Sequence, residues 1–213
     1  MRKLLCMVLC LCLLIPAMAL AERKVVTALA TKINPDDLSN TLVDARIKSY
    51  NKEENTITLE IIVPEFYDAD EIKSLQIGDA IYTQGQAITV ESVVNDYGII
   101  ILNQKNPDDP TDSIMLYQGA DMNYEIMEAD DHTWTTLGIL NVPVSGSLLY
   151  LDEIDPATGE TLGNPTVHNL QQFVAELEGG SEAGPGFDTN NTTVVFDETG
   201  ALALIRRFYV PWQ

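Results

Sequence analysis

The stretch VDARIKSYNKEENTITLEIIVP, residues 43–64, decides the fold class. Val43, Ala45 and Ile47 alternate with Asp44, Arg46 and Lys48. After the polar turn NKEEN (51–55), Ile57, Leu59, Ile61 and Val63 alternate with Thr56, Thr58 and Glu60. A period of two sends successive side chains to opposite faces of a strand, so the segment reads as a β-hairpin laid over a core. Pro64 ends it, because proline has no N–H to donate into a ladder.

On the C-terminal side, Asp68 caps a short helix with Glu71 three residues on, Ile72 and Leu75 facing inward, and Gly78 turning the chain out. DAIYTQ (79–84), QAITVESVV (86–94) and YGIIILN (97–103) follow as three strands, punctuated by Gly85 and by Asn95 with Asp96. Two strands, a short helix and three strands predict a small barrel-like module over residues 22–104, since curling removes exposed edges. Within NQKNPDDPTD (103–112), two prolines and three aspartates disfavour regular structure, and residues 105–112 read as a linker.

Residues 113–213 read as a second antiparallel β module. IMLYQ, MNYEIME, HTWTTLGILNVPV and SLLYLDEI are strand-like, with Gly138, Pro143 and Gly146 as breaks. One amphipathic helix follows, capped by Thr166, striped by Val167, Leu170, Phe173, Val174 and Leu177, and stopped at Gly179. TTVVF, the turn DETG (197–200) and ALALIRRFYV make a closing hairpin. The expected class is mainly β with a minor α component.

On the N-terminal side, Arg2 and Lys3 precede an apolar run from Leu4 to Ile15, then Pro16 and small residues to Ala21. Residues 1–21 read as a secretory signal, of bacterial type, with an apolar run shorter than the roughly 20 residues of a membrane-spanning helix. Cys6, Cys10 and Cys12 all fall inside it, so the mature chain is expected to be disulfide-free and without thiol chemistry. Without Arg2 and Lys3 the chain carries 10 basic and 32 acidic residues, a net of −22. Such a surface repels phosphate backbones and anionic lipid, which argues against nucleic acid as a partner.

Few motifs carry chemistry. There is no His-Glu-x-x-His pair, no Gly-x-Ser-x-Gly elbow and no phosphate-cradling glycine loop. His168 is expected on the polar side of the predicted helix, in solvent. His132 follows the acids of EADD (128–131) and precedes Trp134, where a carboxylate could set up a base or pH sensor. The acidic loop DEIDPATGE (152–160) offers Asp152, Asp155 and Glu160 to calcium, the one cofactor the sequence entertains, although the spacing lacks the alternating ligand pattern. The closing octet RRFYVPWQ (206–213) sets Arg206 or Arg207 with Tyr209 and Trp212, a forked donor beside aromatic faces, the groups that hold a sugar or a carboxylate. Against that, a strand must point its two arginines to opposite faces, where either can pair with an acid.

The sequence thus points to a secreted, acidic, non-catalytic binding or interaction module with a partner outside the cell or on its envelope. A carboxylate-based glycan hydrolase and a structural component of the envelope are the alternatives.

Overall fold

The computed structural model describes residues 23–106, 113–128, 131–155, 157–179 and 186–209. The chain is mainly β. Its elements run β1 (Val25–Val26), β2 (Leu42–Asn51), β3 (Thr56–Pro64), β4 (Phe66–Tyr67), helix α1 (Ala69–Lys73), β5 (Ala80–Thr83), β6 (Gln86–Thr89), β7 (Val93–Asp96) and β8 (Ile99–Leu102). Then come β9 (Ile114–Gln118), β10 (Tyr124–Glu128), β11 (Asp131–His132), β12 (Trp134–Ile154), β13 (Thr161–Asn169), helix α2 (Leu170–Gly179), β14 (Thr192–Phe196) and β15 (Leu202–Arg207).

The alternating hairpin is β2–β3, paired from Asp44↔Ile62 to Asn51↔Thr56. Its turn is closed by the Asn51 side chain, which accepts from the Glu53 and Glu54 amides, and by Asn55 at φ 52°. Asparagine tolerates that left-handed conformation because its short amide can bond locally. β2 pairs next with β14, β14 with β15, and β15 runs parallel to the second half of β12. The first half of β12 returns to pair antiparallel with β3, from Trp134↔Pro64 to Pro143↔Thr56. Five strands therefore close into a ring, with β13 added along β12.

The closure runs across the expected division at residue 104. β2 and β3 pair with strands of the C-terminal half, while residues 66–132, joined by β1 from residues 25–26, build the other sheets: β1–β5–β6, and β11–β10–β9–β8–β7 with β4 on β10. The 105–112 stretch does not lead from one sheet to another, since β8 and β9 on either side of it are antiparallel neighbours, Ile100↔Leu116 to Leu102↔Ile114. Residues 107–112 themselves lie outside the described residues. Two cores result. One fills the ring with Ile47, Leu59, Ile61, Tyr150, Phe173 and Ile205 among others; the second gathers Val26, Tyr67, Ile72, Ile81, Leu116 and Tyr124.

Three local expectations also change. Pro143, Gly138 and Gly146 do not break the strand: β12 runs unbroken for 21 residues. Register shifts at Thr136/Gly138 and Val144/Leu149 bend it so that it can serve both sides of the ring. Helix α2 begins at Leu170, and its cap is Asn169 rather than Thr166. The Asn169 Oδ1 accepts from the Gln172 amide and the Gln172 Oε1 accepts from the Asn169 amide, both at 3.0 Å, a reciprocal box that satisfies two otherwise orphaned donors. Leu170, Phe173, Val174 and Leu177 do face the ring core, whereas Val167 belongs to β13 and is exposed. His168 is likewise in β13, not on the helix, and its ring stacks on Tyr150 at 5.4 Å.

Candidate functional site

The two cores meet where the chain passes from β3 to β4 and returns from β11 to β12. Pro64 cannot continue the ladder, and Glu65, the next residue, is buried at 3 % exposure. Its amide donates to the Thr133 carbonyl at 2.8 Å, tying the outgoing chain to the incoming one. Its carboxylate is saturated. Oε2 accepts from the Tyr67 and Thr83 hydroxyls, each at 2.6 Å; Oε1 accepts from the Gln84 amide at 3.0 Å and from the Thr135 hydroxyl. Burial pushes the carboxyl upward, but the four donors together outweigh it and hold the group below the ordinary glutamate range. Burial and the bond to Glu65 both push the Tyr67 phenol far up, so it stays protonated and donates.

On one side of Glu65 lies a polar cleft of about 570 Å³, lined by Arg46, Gln84, His132, Trp134, Thr136 and Asn190 among others. β2 presents Arg46 on the outer wall of the ring, where its Nε donates to the Asn190 Oδ1 at 2.8 Å and its Nη1 reaches Glu60 at 3.0 Å. Lys48 meets the other Glu60 oxygen at 2.7 Å and the Thr136 hydroxyl donates to Glu60 at 2.6 Å. The Lys48 and Thr136 bonds, against a smaller desolvation, hold Glu60 below its usual range. Opposite stands His132, its Nδ1 2.7 Å from Glu125 on the neighbouring strand and its ring edge-on to Trp134 at 5.9 Å. The carboxylate that adjoins His132 among the described side chains is Glu125, reached across the β10–β11 pair. Nearby Asp44 is pushed up by burial, opposed by its bond from Thr193 and by the His132 charge.

The closing octet is taken apart by the fold. Arg206 and Arg207 point to opposite faces. Arg207 is fully buried: Nε and Nη2 grip both Asp152 oxygens at 3.1 and 2.6 Å, and Nη2 also meets Glu176. Its guanidinium lies 4.7 Å from the Phe187 ring centre, within reach of the aromatic face. Arg206 is 54 % exposed and pairs with Glu153 at 2.6 Å. Tyr209 is half-exposed, and Trp212 lies outside the described residues. Arg206 and Tyr209 therefore stay at the surface, whereas Arg207, an interior ion pair, is no part of the expected patch. Its face is set by a bulge: Val195 pairs Leu204 while Phe196 pairs Leu202, so Ala203 is the extra residue and Leu202 joins Ile205 and Arg207 inside.

Of the expected calcium trio, Asp152 and Asp155 are bonded within the protein. Asp152 is 2 % exposed and committed to Arg207, with its Oδ1 also accepting from the Ile154 amide at 3.0 Å. Asp155 accepts from the Ala157 amide at 2.8 Å within its own turn. Among the described residues no three histidine or acidic side chains converge as metal ligands.

The chain matches no family model, no curated protein and no solved structure. The site must be read from its own chemistry. Arg46 and Glu65 were missed in the sequence, although Glu65 had a signal: it is the lone acid in the run IIVPEFY. A carboxylate inside an apolar run is either mispatterned or buried with partners.

Proposed function

We propose that the protein is an exported, non-catalytic binding module whose polar cleft receives a hydroxyl-rich ligand, a glycan segment of the cell envelope. The observation that carries the reading is the makeup of the cleft. Arg46, bonded to Asn190, lines it with the Thr136 hydroxyl and with the His132 and Trp134 rings, which meet edge-on. Ring faces beside convergent amide, hydroxyl and guanidinium groups suit a sugar, whose two faces are apolar and whose rim is polar. Export rests on the signal-like residues 1–21.

The state of the carboxylates supports binding over hydrolysis. Glycoside hydrolysis needs one carboxyl kept protonated beside a second, ionised one. None of the described side chains lining the cleft is a carboxylate; Glu60 and Glu65, which bond to lining residues, are both held low and saturated by donors, and Asp44, raised by burial, stands outside the lining. Calorimetric titration with soluble envelope glycan fragments tests the proposal. The wild type should bind at least one fragment without releasing reducing ends, and Trp134→Ala should weaken that binding by about tenfold, near 1.4 kcal/mol, with far-ultraviolet circular dichroism unchanged. Turnover of the fragment, or equal binding by wild type and variant, overturns it.

A further inference from the structure

Behind the Glu65 wall, a second groove of about 900 Å³ runs between residues 27–33, the β3–β4 crossing and the start of β12. It differs in kind from the polar cleft. Leu29, Ile33, Val63, Phe66 and Leu137 give it an apolar lining, and Leu29 is 45 % exposed at its mouth. The wall is fixed, because the Leu29 amide donates to the Phe66 carbonyl at 2.7 Å.

Two carboxylates border this apolar surface, Glu65 and Asp121, against one ammonium, Lys32. Glu65 is bonded by three hydroxyls and a backbone amide, so its lone pairs are occupied while its charge is not neutralised. Asp121 is folded onto Asn123 in the same neutral manner, accepting from its amide at 3.0 Å and from its side-chain nitrogen at 2.8 Å. Charge held by neutral dipoles beside a low-dielectric surface projects into the space next to it. A second copy of this chain, itself strongly acidic, meets that field unfavourably. A segment that alternates apolar and cationic side chains satisfies both features at once.

We propose that this groove docks a cationic, apolar-interleaved peptide segment of a partner protein, with its apolar side chains on Leu29, Phe66 and Leu137 and its lysines or arginines toward Glu65 and Asp121. The site is separate from the polar cleft, and its partner is separate from any glycan held there.

Fluorescence anisotropy with labelled peptides tests this on the full mature chain, using alternating Lys-Leu, Lys-Ser and Glu-Leu sequences of equal length. Lys-Leu should bind about tenfold more tightly than either control, because each control lacks one of the two features. Ala30→Trp fills the groove from an exposed position, and it should cost about tenfold in Lys-Leu affinity. Asp121→Asn should cost severalfold, while the paired change Glu53→Gln with Glu54→Gln, on the β2–β3 turn, should cost less than Asp121→Asn alone. Equal binding by Ala30→Trp, or a loss at Glu53 and Glu54 matching that at Asp121, means attraction by bulk charge and overturns the proposal. Equal affinity for Glu-Leu means a purely apolar occupant, and a concentration-dependent dimer abolished by Ala30→Trp means a second copy; either result also overturns it. Trp134→Ala should leave Lys-Leu binding intact, which keeps this site's failure distinct from that of the glycan cleft.

Discussion

Two neighbouring arginines offer an internal control on what burial does to a charge. Arg206 and Arg207 each pair with an acid at 2.6 Å, yet one side chain is 54 % exposed and the other 0 %. Replacing Arg206 by methionine removes an exposed pair, worth about 0–1 kcal/mol. Replacing Arg207 by methionine keeps most of the volume but leaves Asp152 buried and Glu176 half-buried without their cation. Orphaning a buried charge in this way costs about 3–5 kcal/mol. With a urea slope of about 2 kcal/mol per molar, the midpoint should fall by about 1.5–2.5 M for Arg207→Met and by under about 0.5 M for Arg206→Met. The triple change Arg207→Met, Asp152→Asn, Glu176→Gln should recover part of the loss, since no charge is then stranded. Equal midpoints for the two single variants would falsify the claim that Arg207 is an interior anchor, and would return the octet to consideration as a surface patch.

The wall between the two clefts should make stability depend on acid. Glu65 has a folded value below its ordinary 4.5, so its contribution is complete above the unfolded value and is lost as pH falls through the lowered folded one. Asp44, raised by burial, works the other way, gaining as pH falls. Urea titrations of wild type and Glu65→Gln from pH 6 down to about pH 3 isolate the Glu65 part: the gap between the two proteins should be widest near neutrality and shrink below the glutamate range, and a gap that does not change with pH refutes ionisation of Glu65. At the helix, Asn169→Ala removes a reciprocal cap and should cost about 1 kcal/mol by denaturation, whereas Thr166→Ala, outside the helix, should cost less.

Local structure was legible because it is decided by neighbours in sequence. The β2–β3 hairpin follows from alternation and a polar turn. The Asp68 cap, bonding the Asp70 and Glu71 amides, and the left-handed Gly200 of the last hairpin follow from side chains within a few residues. What alternation does not state is which strand a strand meets. β12 contains a proline and two glycines, the residues that usually end strands, and it reads as two pieces. Pro143 is tolerated because it pairs at the very end of β3, opposite Thr56, where the ladder stops. A strand bent by register shifts can close a ring that two straight strands could not, and that closure draws β2 and β3 away from the strands that follow them in sequence.

The same distinction governs the sites. A strand sends Arg206 and Arg207 to opposite faces whatever its surroundings, but which face is inside depends on Ala203, the bulged residue, and on Asp152 and Glu176, which lie 55 and 31 residues away. Glu65 takes its four donors from 2, 18, 19 and 70 residues away, on β4, β5, the turn after β5, and β12. No window along the chain contains either network. Each nonetheless left a local trace, an ion in an apolar setting: Arg207 beside Ile205 and Phe208, Glu65 between Pro64 and Phe66. Leaving such a group unpaired costs far more than a typical surface change, so an ion in an apolar run of a stable chain implies distant partners even when it cannot name them. That inference, applied to Glu65, leads to the junction of the two cores and hence to both clefts; applied to Arg207, it leads away from the surface and takes that one arginine out of the candidate patch.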